Sequence, residues 1–143
     1  MRTGEYHPEL QKNQRTTEAL DSDYDFKFDP EVLYNYERMK AVSESNMANK
    51  TVVPVLDTKV PDFYAAGNIP SSVNLPHYKL LNENLTFKSD AELLEMIQTA
   101  TGVADPTSEK IVVTCQIALT ASSLCTVLTQ LGNKNVSLYD GAY

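Results

Sequence analysis

The sequence predicts an α/β fold in which a parallel sheet is flanked by helices on both faces. Three short apolar runs have the character of buried strands: TVVPVLD (51–57), IVVT (111–114) and VSLY (136–139). Segments with apolar residues at helical spacing alternate with these runs. Parallel strands need crossover connections, usually helices, and strands buried on both faces read as continuous apolar runs. This alternation therefore predicts a parallel sheet.

Composition places the chain among ordinary globular proteins and narrows its partners. Its 143 residues fit one domain, with 42% hydrophobic and 22% charged residues. The net charge of −7, from 19 acidic and 12 basic residues, argues against nucleic acid as a partner, because binding to phosphates requires a basic surface. No apolar run has the length of a membrane helix or the form of a signal peptide, so no membrane partner is predicted.

The two cysteines, Cys115 and Cys125, lie ten positions apart without a CxxC motif or a cluster of histidines. This spacing argues against a disulfide framework and against a metal site. It suits a reducing, intracellular compartment, so the predicted location is the cytoplasm or the mitochondrion.

The first part of the chain is predicted to hold an arm, a short strand and a helix. Residues 1–24 are polar and lack periodicity, which predicts a flexible arm. DFKF (25–28) alternates like an edge strand. Asp29 and Pro30 are typical of a helix start, and the apolar spacing that follows predicts a helix into the early forties. SESNMANK (43–50) is interpreted as a linker.

The middle of the chain contains one buried strand, a loop-rich section and a well-delimited helix. Pro54 cannot donate to a sheet, so the paired part of TVVPVLD is predicted to start near it. SVNL (72–75) is a candidate strand. Ser89 and Glu92 form a capping box, which predicts a helix that ends at Gly102.

The last third follows a strand–helix–strand plan. Apolar residues at helical spacing predict a helix from Thr120 to Leu131, closed by Gly132. In parallel sheets, ligands bind beyond the carboxyl ends of the strands. Three reactive or charged residues fall at such ends: Asp57, Cys115 and Asp140.

Cys115 follows one strand and precedes a predicted helix by a short loop. Amide N–H groups of such a loop and of a helix N-terminus can lower the pKa of a thiol or hold an anion. The alternative is a buried structural cysteine, which is the commoner fate of a free thiol. Spacing alone leaves both interpretations open.

Other side chains are weaker candidates. Cys125 lies within a predicted helix and is interpreted as core. His77 has no acidic or nucleophilic neighbour in the sequence, so a loop histidine is favoured over a general base. Lys59 could supply a cation near the site or be a solvated loop lysine. A cysteine phosphatase loop would need arginine at position 121, where Ala121 stands, so that class is excluded.

The motifs resemble those of a known family. Five of them occur in the order typical of rhodanese domains: VLD (55–57), GNIP (67–70), SVNLP (72–76), VVTC…LTAS (112–122) and LYDG (138–141). The chain most resembles the C-terminal, cysteine-bearing domain of the two-domain thiosulfate and 3-mercaptopyruvate sulfurtransferases. The resemblance covers about residues 25–143, which are predicted to form one rhodanese-like domain, with residues 1–24 resembling the interdomain segment.

The resemblance implies ping-pong sulfur transfer without a cofactor or a metal. The thiolate of Cys115 would take sulfur from a small anionic donor, thiosulfate or 3-mercaptopyruvate, as a persulfide. A thiol, cyanide or a thioredoxin-like protein would then accept it. The resemblance also implies a substrate-binding loop made of Gln116, Ile117, Ala118, Leu119 and Thr120. It implies Lys59 as a possible electrostatic aid to this loop.

This loop departs from the family pattern. Ala118 stands where glycine is usual, and alanine at a positive φ costs on the order of 1 kcal/mol. Gln116 and Ile117 stand where polar or cationic residues are usual, and Lys59 replaces an arginine, which loses the bidentate fork. The departures favour a second interpretation, in which the domain is a catalytically weak or inactive rhodanese-like module for binding or regulation.

Two parts of the family pattern are missing from the sequence. One is the N-terminal partner domain, and the other is the closing helix expected after the last strand. Without that helix, one face of the sheet is expected to expose an apolar patch, which a partner domain or chain would cover.

Overall fold

A computed structural model describes residues 29–141. The predicted arm and the DFKF strand lie outside the described residues. Within them the chain forms five strands, four α-helices and one short 3-10 helix, in this order: β1 (Leu33–Tyr34), α1 (Tyr36–Met47), β2 (Val55–Asp57), α2 (Pro61–Ala66), β3 (Ser72–Asn74), the 3-10 helix (His77–Leu80), α3 (Asp90–Thr101), β4 (Ile111–Thr114), α4 (Leu119–Gln130) and β5 (Val136–Tyr139).

The strands form one sheet in the order β1-β5-β4-β2-β3, and every pairing is parallel. The predicted α/β class is therefore confirmed. Asp57 pairs with Thr114, so β2 and β4 end side by side. The N–H of Thr58 donates to the carbonyl of Thr114 at 3.0 Å and extends the pairing by one residue. This register brings Thr58 and Cys115 to the same point of the sheet edge.

The two faces of the sheet carry separate cores because alternate strand residues point to opposite faces. Helices α3 and α4 cover one face, with Leu56, Ile111 and Val113 packed among their apolar residues. On the other face, Val55 and Val112 pack with Met39 of α1. Helices therefore lie on both faces, as predicted.

The elements around β3, α3, β4, α4 and β5 match the predictions closely. Ser89 and Glu92 form both hydrogen bonds of the capping box, and Gly102 caps α3 at φ 71°. Helix α4 begins at Leu119, one residue before the predicted start. Gly132 follows it at φ 101°. Strand β2 begins at Val55, directly after Pro54.

The predicted helix start at Asp29 and Pro30 is wrong. These residues form a turn, in which the carbonyl of Asp29 accepts from the N–H groups of Val32 and Leu33. The chain then pairs with β5 as strand β1 before Asn35 caps α1, accepting from the N–H of Arg38 at 3.0 Å. The pairing of β1 with the distant strand β5 therefore outweighs the helix-start signal of Asp29 and Pro30.

The predicted linker at 43–50 is also wrong over its first half, because α1 continues to Met47. Ser43 and Asn46 are buried. The Ser43 hydroxyl donates to the carbonyl of Pro70 at 2.8 Å, and the Asn46 amide bonds both backbone groups of Val53. Polar residues thus attach this helix to the sheet.

An open groove lies on the α1 face beside β5. It has a volume of about 540 Å³, and its walls include Tyr36, Met39, Met47, Ile69 and Tyr139. Among these residues Tyr36 and Met47 are exposed, whereas Met39, Ile69 and Tyr139 are buried.

Candidate active site

Cys115 follows β4 directly and lies at the floor of a cavity of about 280 Å³. Its side chain is 3% exposed, so the cavity is its route to solvent. The cavity lies at the carboxyl ends of the parallel strands, where the sequence predicts a site. Its walls come from the ends of β2 and β3, from α2 and from the loop that leads into α4: Thr58, Lys59, Val60, Phe63, His77, Tyr78, Gln116, Ile117, Leu119 and Thr120.

The loop after Cys115 wraps its backbone around the sulfur. The backbone N–H groups of Ile117, Thr120 and Ala121 surround the Cys115 sulfur and favour its thiolate form. The loop turns around the sulfur at Ala118, whose backbone adopts the left-handed conformation, at φ 61° and ψ −7°. The positive φ expected at Ala118 is therefore confirmed, and the loop closes without glycine.

Opposing effects set the pKa of Cys115. Burial disfavours the thiolate and would raise the pKa. The hydroxyl of Thr120 and the N–H groups of Ala121, Ile117 and Thr120 favour the thiolate and together outweigh that effect, so the pKa is lowered from the ordinary value of a thiol. A lowered pKa means that more of this cysteine is present as the nucleophilic thiolate at neutral pH.

A second threonine supports Thr120. The Thr58 and Thr120 hydroxyl oxygens lie 2.8 Å apart, and Thr58 is 2% exposed. Because Thr58 follows β2 and Thr120 lies in the first turn of α4, this hydrogen bond joins the two elements beneath the cavity. It fixes the rotamer of the hydroxyl that faces the sulfur.

Lys59 lies in the cavity wall but is buried. Its ammonium donates to the carbonyl of Gly67 at 2.6 Å and lies 3.4 Å from a carboxylate oxygen of Asp57. Asp57 is itself 1% exposed, and burial raises its pKa, which the Lys59 N–H and ammonium only partly offset. Lys59 therefore adds positive charge near the site from within an internal ion pair.

The mouth of the cavity is apolar. Five of the large hydrophobic side chains in its walls are exposed, and we call them the apolar rim: Val60, Phe63, Tyr78, Ile117 and Leu119. Gln116 is also exposed at this mouth. The predicted loop residues thus divide into two groups. Backbone groups and Thr120 face the sulfur, while the side chains of Gln116, Ile117 and Leu119 face outward.

Several wall residues were not identified from the sequence. The sequence predicts a loop histidine at position 77, yet His77 lines the cavity, and its backbone N–H donates to the carbonyl of Thr58 at 3.1 Å. Tyr78 lies next to it, Val60 directly precedes α2, and Phe63 lies within α2. The candidate strand at 72–75 is the signal that could have found them. If it pairs with β2, the residues that follow it lie at the same edge of the sheet as Cys115.

Two other candidates lie elsewhere. Asp140 borders a separate hollow with Tyr34 and Arg38. Cys125 packs against the α3–α4 core, as predicted, and burial raises its pKa to about 12. Among residues 29–141, no group of three or more His, Cys, Asp or Glu side chains could hold a metal ion. No helix in that range is long and apolar enough to span a bilayer.

Comparison with known proteins places these features in a family. A protein of Saccharopolyspora erythraea provisionally named thiosulfate sulfurtransferase is 40% identical over 79 residues, which cover 54% of this chain and 27% of that protein. A protein of Schizosaccharomyces pombe provisionally named 3-mercaptopyruvate sulfurtransferase is 33% identical over 79 residues, covering 55% of this chain and 26% of that protein. The chain thus matches about a quarter of the length of these relatives.

Solved structures agree on the fold. The crystal structure of SseA from Escherichia coli, described as a 3-mercaptopyruvate sulfotransferase with the rhodanese fold, superposes with a TM-score of 0.66 at 26% identity. The match covers 85% of this chain and 45% of that one. The model of the rhodanese-like domain matches residues 40–143. The chain belongs to the rhodanese-like domain family.

Proposed function

We propose that this chain is a sulfurtransferase domain in which Cys115 carries sulfur as a persulfide. The observation that carries the proposal is the thiol at the floor of an open cavity, with three N–H groups and one hydroxyl directed at its sulfur. The names of the relatives support the same reaction class.

In the first half-reaction, the Cys115 thiolate attacks the outer sulfur of thiosulfate or the sulfur of 3-mercaptopyruvate. The S–S or C–S bond of the donor breaks, its electron pair leaves with sulfite or the pyruvate enolate, and Cys115 retains one extra sulfur. The loop N–H groups that lower the pKa of Cys115 would also stabilise the terminal persulfide anion. Lys59 would add its positive charge from the cavity wall.

In the second half-reaction, a thiolate or cyanide attacks the terminal sulfur, and the electron pair of the S–S bond returns to Cys115. No electrons are exchanged with a third component, so no cofactor is required. Cys115 must start each cycle reduced, which fits a reducing compartment such as the cytoplasm or the mitochondrion.

The proposal predicts a mass increase of one sulfur atom. The purified chain, incubated with thiosulfate or 3-mercaptopyruvate, should gain one sulfur in intact mass spectrometry, and a reductant should remove it. Cys115→Ser should gain none, while Cys125→Ser should behave as wild type because Cys125 lies away from the cavity.

A folded wild-type chain whose Cys115 alkylates readily but gains no sulfur would contradict the proposal. That result would favour the alternative, a rhodanese-like binding or regulatory module.

A further inference from the structure

We propose that the apolar rim docks an acceptor protein whose receiving cysteine is itself surrounded by apolar residues. This inference rests on the proposed function, because it names the class of partner that meets the persulfide. The rim consists of Val60, Phe63, Tyr78, Ile117 and Leu119, as defined above.

Exposed apolar side chains are concentrated at this opening. The rim residues are exposed by 42%, 58%, 52%, 69% and 68% in the order given. They make up five of the twelve large hydrophobic residues that are exposed in the described chain. Single exposed apolar residues are ordinary, but a contiguous group around a reactive group marks an interaction site.

A small donor does not explain this arrangement. A molecule of a few atoms at the Cys115 sulfur would contact the loop N–H groups and the cavity floor. The outward parts of Phe63 and Leu119 would remain in water. Since the rim residues come from the start of α2, the 3-10 helix, the Cys115 loop and the first residue of α4, only a surface of macromolecular size can cover them together.

Charge also favours an apolar partner surface. The side chain of Lys59, which lines the same cavity, is 4% exposed, and its ammonium contacts the carboxylate of Asp57 and the carbonyl of Gly67. The rim itself carries no formal charge, and the chain as a whole has a net charge of −7. Uncharged, apolar flanks around the partner's thiol fit this mouth, whereas acidic flanks would be repelled. A second copy of the chain would bring another −7 and is disfavoured for the same reason.

The chemistry requires a protruding cysteine on the partner. Its thiolate must enter the cavity and attack the terminal sulfur held on Cys115. The S–S bond then breaks, the electron pair returns to Cys115, and the partner carries the persulfide. Apolar residues beside that cysteine would meet the rim as its sulfur reaches the floor.

Thiol–disulfide exchange tests the docking step separately from sulfur transfer. Two peptides of equal length and charge carry one cysteine each, flanked by Leu and Phe in one and by Ser and Gly in the other. Each is supplied as its mixed disulfide with thionitrobenzoate. Attack of the Cys115 thiolate on the peptide sulfur releases the coloured thiolate, and the rates are compared for the full chain.

The wild type should react about fivefold or more faster with the apolar peptide than with the polar one. In Phe63→Ser/Leu119→Ser and, separately, in Val60→Ser/Tyr78→Ser, this ratio should fall below about twofold. The matched control Val32→Ser/Val52→Ser removes two exposed apolar residues outside the cavity walls and should keep the wild-type ratio.

Equal rates for the two peptides, or a ratio that both rim variants leave unchanged while folded, would overturn the docking surface. Rapid self-association of the wild type through the rim would contradict the proposed acceptor protein and would show that a second copy of the chain binds there. A different result, the absence of a persulfide after incubation with the donor, would contradict the proposed function. The docking surface and the proposed function can therefore be disproved independently.

Discussion

The groups that stabilise the Cys115 thiolate come from the structural elements next to it. Three N–H groups come from the loop and from the first turn of α4, and the fourth donor is the Thr120 hydroxyl. Burial at 3% exposure opposes the thiolate, so the site depends on those donors. Removing one of them should therefore be visible in the titration of the thiol.

Replacing Thr120 by valine removes the hydroxyl donor and should raise the pKa of Cys115. Only the thiolate is alkylated, so the rate with iodoacetamide at neutral pH should fall about threefold. At a pH above the pKa of Cys115 in both the wild type and the variant, the two alkylation rates should converge. Mass spectrometry of the Cys115 peptide across the pH range measures this. Cys125, with its pKa at about 12, should remain unlabelled at neutral pH.

The control for this experiment is Thr126→Val in the same helix. The Thr126 hydroxyl donates to the carbonyl of Ser122 at 3.0 Å and is exposed. Its removal should leave the pH profile of Cys115 in place. A profile that shifts equally in both variants would attribute the effect to helix α4 in general.

Ala118 combines a positive φ with a loop that is fully closed around the sulfur. Its strain is therefore stored in the backbone, since the N–H contacts are already made. Ala118→Gly should stabilise the chain by roughly 0.5–1 kcal/mol, the strain relieved less the extra freedom of glycine in the unfolded chain. Urea unfolding followed by circular dichroism measures the change.

The matched control is Ala41→Gly, at an exposed position within α1. There φ is helical, and the same substitution should destabilise the chain by roughly 0.5–1 kcal/mol. Equal losses in the two variants would show that position 118 carries no strain.

At the scale of elements, helix α1 shows how polar groups can attach a helix to a sheet. Asn46 donates to the carbonyl of Val53 at 2.7 Å, accepts from its N–H at 2.8 Å and contacts the Ser71 hydroxyl at 3.2 Å. Met39 is the buried apolar anchor of the same helix. A sequence pattern based on apolar spacing finds Met39 and overlooks Asn46, which is why the helix was predicted to end too early.

Asn46→Ala should destabilise the chain by about 2 kcal/mol, because it leaves the partly buried N–H and carbonyl of Val53 without their partner. Urea unfolding gives the value. Glu44→Ala is the control: its carboxylate is exposed and lies 3.8 Å from Lys40, so its loss should change stability by less than about 0.5 kcal/mol. A loss of stability for Asn46→Ala no greater than for the control would contradict this role.

The elements found from the sequence are those whose signals are local. The capping box and Gly102 delimit α3, and the β-branched run before Cys115 marks β4. Strand β1 has only two residues, and its pairing with β5 depends on residues far along the chain. Helix α2 has six residues and none is buried, so it offers no apolar period to detect.

At the scale of the whole molecule, the strand order explains both the successes and the misses at the site. Cys115 can be identified from the sequence because it directly follows a strand, β4, that is recognisable by itself. His77 and Tyr78 were missed because their place in the cavity follows from the pairing of β3 with β2, which no local pattern records. The internal pairing of Lys59 with Asp57 depends on burial, and two charged residues separated only by Thr58 do not indicate burial in the sequence.

The parallel pairing of β1 with β5 also bears on how the protein is made. Glu31 and Ser137, 106 positions apart, are joined by a hydrogen bond beside this pair of strands. During synthesis on the ribosome, β1 emerges early but has no partner until β5 has been translated. Helix α1 cannot take its final place over β5 before that moment. This edge of the sheet is therefore expected to form after the β2–β4 pairing, and Leu33 and Tyr34 stay accessible to chaperones until β5 has emerged.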